Sequence, residues 1–337
     1  MLRPWLRCAI TACALLPVAA TAEPTRLKLG FLTSDRSVDY RAAIQPFVDK
    51  VNEEAKGVAE IEVYLSGSLG GTWAQQPQMV LDGVADFSWV LPSASPDRFP
   101  DTPVIELPGL YRDLSEATLV YTRLIAAHRL TGYDEFVVIG ATAFEPESIH
   151  SRAPVSGLDD LQGRRVRATT ATEAAALEKL GMIPVVMPIT QAAEALGGGR
   201  IDATTATPAR TGDFGIRRIA TNHYLLRISS VPVALLMSRK SFDRLPAAVQ
   251  EVIRKYSGEW VAARYIPLEQ SNDSKILEQL QADAKHRVTF PSPSDQQRAQ
   301  AAFKTVIDEF AASSPHNREL LTAVEAELAR IRSSEEH

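Results

Sequence analysis

The sequence has 337 residues, 36 Lys plus Arg against 41 Asp plus Glu, a formal net charge of −5 and 45% hydrophobic residues. That length accommodates two domains with substantial cores, and the mix of apolar and charged residues excludes a mainly disordered chain. The acidic balance gives no electrostatic reason to expect nucleic acid or an anionic membrane as a partner.

Residues 1–22 open with Arg3 and Arg7, run apolar from Cys8 to Ala20 and end in Ala20-Thr21-Ala22, before Glu23-Pro24 restores polarity. A basic start, a short apolar middle and a small-x-small end make a secretory signal peptide, and the run falls short of the roughly 20 residues a membrane span needs. Export with cleavage after Ala22 predicts a periplasmic protein. Cleavage removes Arg3, Arg7, Cys8 and Cys13, which leaves 34 basic against 41 acidic groups, a charge of −7 and no thiol. Such a chain relies on its core rather than on disulfides and has no thiolate for catalysis or metal binding.

Leu27, Leu29 and Phe31 alternate in a strand pattern over 26–33, and Ala43, Ile44, Phe47, Val48 and Val51 follow at helical spacing. A strand over 61–65, a helix over 75–81, a strand over 86–91, a proline-rich loop over 92–108 and a helix over 116–128 come next. The pattern restarts with a strand at 136–141, a helical turn at 156–163, a strand at 164–168 and a helix at 170–180. Thr170 and Glu173 there have the spacing of a capping box. Strands at 184–188, 200–205 and 233–238 and a helix at 190–196 complete an alternation that implies crossover units, a mostly parallel sheet and an α/β fold. The second α/β unit is predicted over 142–232. Beyond Pro246 the residues are mainly helical, over 246–263, 274–285, 294–310 and 318–331, with a short strand near 288–290. Pro267 is expected to kink or end the helix it enters.

Enzyme signatures are missing. The six histidines lack an i+3 or i+4 partner, there is no Gly-x-Ser-x-Gly elbow, and the glycine clusters at 67–71 and 197–199 match neither a P-loop nor a dinucleotide fingerprint. No metal or cofactor is predicted. One candidate is positive: Arg164-Arg165-Val166-Arg167, where the period of two puts Arg165 and Arg167 on one face. Arg167 sits at the carboxyl end of its strand, just before the start of the Thr170 helix, where open α/β sheets bind ligands. A guanidinium fork beside a helix N-terminus suits a carboxylate. The competing role is a structural pair with Asp159, Asp160 or Glu173. Thr204, Thr205 and Thr207 follow another strand end and are either ligand contacts or plain turn residues. Trp89 is core or pocket wall, Trp73 lies on a glycine-rich loop, and Arg98 is a second anion contact or a solvated charge.

Leu158-Asp159-Asp160-Leu161-Gln162-Gly163-Arg164-Arg165-Val166-Arg167 resembles the solute-binding component of TRAP transporters, the DctP-like family. Ser68-Leu69-Gly70-Gly71, Leu81-Asp82-Gly83-Val84-Ala85-Asp86, Leu180-Gly181-Met182-Ile183-Pro184-Val185, Glu106-Leu107-Pro108-Gly109 and Leu245-Pro246-Ala247-Ala248-Val249-Gln250 extend the resemblance over about 26–260. It implies a two-lobed periplasmic binding protein with a hinge and a long helix running along both lobes. Residues 23–141 plus about 233–290 would form the first lobe, 142–232 the second, and 291–337 helices packed on them. It also implies a monomer that is not an enzyme, captures a small organic acid by lobe closure and hands it to membrane permease subunits. Arg167 would clamp the carboxylate, with Trp89, Trp73, Phe144, Thr205, Thr207 and Arg98 as further contacts. The family's acid-sugar and dicarboxylate binders often carry an asparagine where this chain has Thr204 to Thr207. An aromatic or partly apolar monocarboxylate therefore fits better. The rivals are a secreted carboxylate-dependent enzyme and a sensor presenting its ligand to a membrane kinase.

Overall fold

The computed structural model describes residues 23–335, so the predicted signal segment lies outside them. Eleven strands among the described residues form two sheets. The first contains β1 (Thr25–Gly30), β2 (Ala59–Tyr64), β3 (Phe87–Val90), β4 (Phe136–Ala143) and β10 (Pro232–Ser238), in the order β2-β1-β3-β10-β4. The second contains β5 (Ser148–Ser151), β6 (Arg165–Ala168), β7 (Ile183–Val186), β8 (Ala203–Ala206), β9 (Asn222–Tyr224) and β11 (Arg287–Thr289), in the order β11-β9-β5-β8-β6-β7. Pairings are parallel along β2-β1-β3, β7-β6-β8 and β9-β11, whereas β10 and β5 run antiparallel to both of their neighbours. The sheets are therefore mixed, and the antiparallel strands are the ones that open or follow a crossing between lobes.

Period-two alternation assigns the faces of the first sheet. Phe87, Trp89, Val233, Leu235 and Met237 enter one core with Leu29, Phe47 and Tyr265, while Val90, Ala234 and Leu236 enter another with Tyr121, Leu320 and Val324. Each such large apolar side chain contributes about 1.5–3 kcal/mol on full burial. The second lobe has its own core, with Val166, Leu177, Ala203 and Tyr224, on which Ala299, Phe303 and Val306 of the helix Pro293–Ser313 pack. The last helix, Pro315–Glu335, packs instead on the first lobe through Leu320, Val324, Leu328 and Ile331.

The chain crosses between lobes at 144–147 and 225–231. Backbone bonds from Phe144 N to Val231 O (3.0 Å), Glu147 N to Ser229 O (2.9 Å) and Ile228 N to Glu147 O (2.8 Å) tie the two crossings side by side. The helix Glu259–Ala282 packs on β4 in the first lobe and on the helix Pro208–Asp213 and β11 in the second. It runs through Pro267 without ending there, and the break lies earlier, at Gly258, whose φ of 63° and bond to Ile139 O (2.8 Å) pin the helix start to β4. Only glycine takes that backbone conformation without strain. The strand grouped with the first lobe in the sequence, Arg287–Thr289, pairs with β9 in the second sheet. β5 and β9 carry the polar sequences Ser-Ile-His-Ser and Asn-His-Tyr, too short and too polar to stand out as strands. No described helix is long and apolar enough to cross a membrane.

Candidate functional site

Arg167 is 1% exposed at the carboxyl end of β6. Its Nε donates to Met187 O (2.9 Å), and its Nη1 donates to Thr205 O (3.0 Å) and Thr169 Oγ1 (2.9 Å). Three neutral oxygens therefore orient the fork. Nη2 makes no hydrogen bond among the described residues. Burial lowers the guanidinium below its ordinary value, and the neighbouring Glu147 and Glu173 carboxyls oppose that shift. Arg165, on the same strand face but at the solvent end, pairs with Asp202 (3.1 Å). Asp202, rather than Asp159, Asp160 or Glu173, is thus the structural partner in this strand.

The carboxylates come from three places. Glu147 lies on the first crossing and accepts from Thr169 Oγ1 (2.6 Å), which links it through one hydroxyl to Arg167. Glu173 lies in the first turn of the helix Ala171–Lys179. Thr170 caps that helix by accepting from Glu173 N, but the Glu173 carboxyl accepts from Thr169 N (2.8 Å), so only half of the expected capping box forms. Its Oε2 also meets Thr205 Oγ1 (2.7 Å), while Oε1 is buried without a partner. Burial, reinforced by Glu147, holds Glu173 well above the usual carboxylate range. Glu106 reaches in from the first-lobe turn Thr102–Glu106 to face the hydroxyls of Thr170 and Thr172, and burial pushes it up to about 7. The Arg167 cluster therefore lies where both lobes and a crossing meet.

A second cationic centre adjoins it. Thr207 caps the helix Pro208–Asp213, which holds Arg210. Arg210 makes two 2.8 Å bonds to Asp39 of the first lobe and a 3.2 Å bond to Glu269 of the long helix. Its guanidinium lies 3.9 Å from the centroid of the Phe144 ring. All three charged groups are buried. Asp39 meets the cation with both oxygens, and burial raises the second carboxyl, Glu269, to about 8 and Asp273 to about 6.

Of the residues singled out in the sequence, the structure gathers Arg167, Thr205, Thr207 and Phe144 around these two centres. Thr205 supports Arg167 through its carbonyl, and Phe144 stacks on Arg210. Trp89 is 1% exposed in the first-lobe core, 6.5 Å from the Tyr265 ring, with its Nε1 unpartnered. Trp73 is half-buried against the same core. Arg98 stands apart: it pairs with Glu135 (2.8 Å) and Gln78 (3.1 Å) on the first lobe. Sequence reasoning missed Asp39, Glu106, Glu147 and Arg210, because each meets its partners across at least 20 residues or a lobe boundary. It also missed a line of histidines. His150 Nε2 meets Ala206 O (3.1 Å), His150 Nδ1 meets His223 Nδ1 (2.7 Å), and His223 Nε2 meets His286 Nδ1 (2.9 Å). Since a carbonyl only accepts, neutral rings in this chain carry their protons on His150 Nε2, His223 Nδ1 and His286 Nδ1. No described group of His, Cys, Asp or Glu has the arrangement of a metal site.

The sequence matches the family described as bacterial extracellular solute-binding protein, family 7 (DctP) over residues 29–314. A solute-binding protein of Sulfitobacter sp. (strain NAS-14.1) is 26% identical over 266 residues, 77% of this chain and 80% of that protein. Among solved structures, a TRAP solute-binding protein of Rhodoferax ferrireducens T118, in complex with copurified benzoate, superposes with a TM-score of 0.84 at 22% identity, over 92% of this chain and 99% of that one. A marine metagenome TRAP solute-binding protein specific for aromatic acid ligands, in complex with 3-hydroxybenzoate, gives 0.84 at 21% identity over the same shares. The two sheets, the paired crossings and the long helix shared by both lobes are the fold these proteins have, and the chain belongs to the DctP family of extracytoplasmic TRAP solute-binding proteins, which capture ligands and are not enzymes.

Proposed function

We propose that the protein, exported by its first 22 residues, captures a small organic acid between its lobes and delivers it to TRAP membrane permease subunits. The observation that carries this reading is Arg167: buried, oriented by Met187 O, Thr205 O and Thr169 Oγ1, with Nη2 unspent. An ordered guanidinium loses little freedom when it takes a carboxylate, and in a dry site the charge-assisted bond is strong. Closure brings the first-lobe Glu106 and Asp39 against the second lobe, which seals the site from water. The Phe144 ring stacked on Arg210, together with the benzoate and 3-hydroxybenzoate held by two structural neighbours, supports an aromatic monocarboxylate as ligand class.

Mass spectrometry of the acid that copurifies, followed by calorimetric titration with benzoate and 3-hydroxybenzoate, tests this. Arg167→Ala is expected to weaken binding by about 2–5 kcal/mol, roughly 30-fold to several thousandfold in Kd. Arg167→Lys, which keeps the charge and loses the fork, should fail to restore it. Unchanged affinity in Arg167→Ala removes Arg167 as the clamp.

A further inference from the structure

The Arg167 cluster has no positive charge to spare. Arg167 Nη1 donates to the Thr169 hydroxyl (2.9 Å), and the one hydrogen of that hydroxyl goes on to Glu147 Oε2 (2.6 Å), since a guanidinium has no lone pair to receive it. Arg167 thus meets its counter-charge one hydroxyl away. Glu147 is 2% exposed, and its second oxygen makes no hydrogen bond among the described residues. Glu173 and Glu106 stand in the field of Glu147 as two further buried carboxyls, each with an oxygen that no described donor reaches.

The cations on the neighbouring elements are engaged elsewhere. Arg210 is met by Asp39 and Glu269, Arg227 by Glu145, Arg165 by Asp202 and Lys179 by Glu309. Even with Glu173 and Glu106 neutral, Glu147 alone cancels Arg167, so the cluster is at best neutral before a ligand enters. A bare carboxylate on Arg167 then adds a buried negative charge with no cation to meet it, which is costly. A ligand that brings its own cation removes that cost. Acceptor oxygens without donors call for a cation with N–H groups, which an ammonium supplies threefold. The spacing also says where that ammonium belongs. Glu147 is only two hydrogen bonds from the Arg167 guanidinium, so a ligand bridging the two carries its ammonium beside its carboxylate, on the α-carbon rather than across a ring.

Building on the reading that Arg167 clamps an aromatic acid, we propose that the ligand is an α-amino acid with an aromatic side chain, its carboxylate on Arg167 and its ammonium on Glu147. Glu147 is then the residue that sets charge specificity. It favours a zwitterion over an anion of the same shape, because only the zwitterion leaves the buried charges balanced.

The test is titration calorimetry of the full mature chain at neutral pH with two matched pairs and benzoate as the reference acid. The pairs are phenylalanine, each enantiomer, against 3-phenylpropanoate, and phenylglycine against phenylacetate. In at least one pair the amino acid is expected to bind about tenfold or more tightly than its deaminated counterpart. Glu147→Gln should erase that preference by weakening the amino acid while the deaminated acid binds as well or better. Deaminated acids that match or exceed the amino acids in the unaltered chain overturn the zwitterion assignment, whether or not the variant folds. So does a preference that survives Glu147→Gln, or an equal loss for both members of a pair, which a purely structural Glu147 would give. In each of these cases benzoate binding that is lost in Arg167→Ala leaves the clamp standing. If neither benzoate nor any member of the pairs binds, the aromatic-acid reading falls and the zwitterion with it.

Discussion

Arg167 and Arg98 are both arginines near the end of a strand or loop, yet the first is buried with an open nitrogen and the second is spent on Glu135 and Gln78 at the surface. Exposed pairs of that kind contribute about 0–1 kcal/mol. Arg98→Ala is therefore expected to change urea stability by less than about 1 kcal/mol and to leave ligand affinity unchanged; a tenfold loss of affinity would place Arg98 back in the site. The difference between the two residues was half legible in the sequence. A period of two and a position before a capped helix single out Arg167. Nothing local says that Glu147 will stand beside it, because that contact forms only when the first crossing reaches the end of β6.

At the level of elements, the latch between Asp39 and Arg210 joins the segment before the helix Gln45–Glu54 to the helix Pro208–Asp213, 171 residues apart. Removing one partner of such a buried pair leaves a charge with nothing to meet it, typically a loss of about 3–5 kcal/mol. Asp39→Ala should fall at the lower end, about 3 kcal/mol by urea unfolding at pH 7, because Glu269 lies 3.2 Å from Arg210 and can ionise in compensation. The same variant should open the lobes, seen as a larger radius of gyration in X-ray scattering. An unchanged radius and a loss below about 1 kcal/mol would show that the latch holds neither the fold nor the closed form. The long helix carries a related lesson. Pro267 is expected to kink or end the helix; it does not end it, because a single missing N–H is tolerated when the helix is packed on both lobes, whereas Gly258 adopts a backbone conformation that no helix interior shares.

For the whole molecule, buried titratable groups pull stability in opposite directions. His150 and His223 are held down to about 4 and about 3 by burial, against an ordinary value of 6.5, so their contribution is complete above about 6.5 and is lost as pH falls toward 4 and 3. Glu269, Glu106 and Asp273 are raised by burial to about 8, about 7 and about 6. Their contribution is complete below the ordinary carboxylate range and is lost as pH rises through 6 to 8. The melting temperature of the ligand-free protein should therefore peak between about pH 5 and 6.5 and decline toward pH 8.5. Glu269→Gln should flatten the alkaline decline. A melting temperature that climbs steadily from pH 6 to 9 would contradict this arrangement of buried acids.

The sequence by itself determined the α/β class, the thiol-free exported chain it predicts, the strand that carries Arg167 and the helix cap that follows it. These are properties of spacing between near neighbours, where periodicity and capping chemistry act over a few residues. Only the tertiary structure decided which charges face one another. Asp39 with Arg210 and Glu106 with the Thr170 helix start are brought together across the lobes, and His150 with His223 and His286 by strand pairing in the second sheet between segments far apart in the chain. Burial then changes what those groups are, turning several carboxyls into proton carriers, because a charge removed from water without a partner is disfavoured. The orientation of the Arg167 guanidinium and the state of the buried carboxyls are both set by contacts that local sequence does not encode.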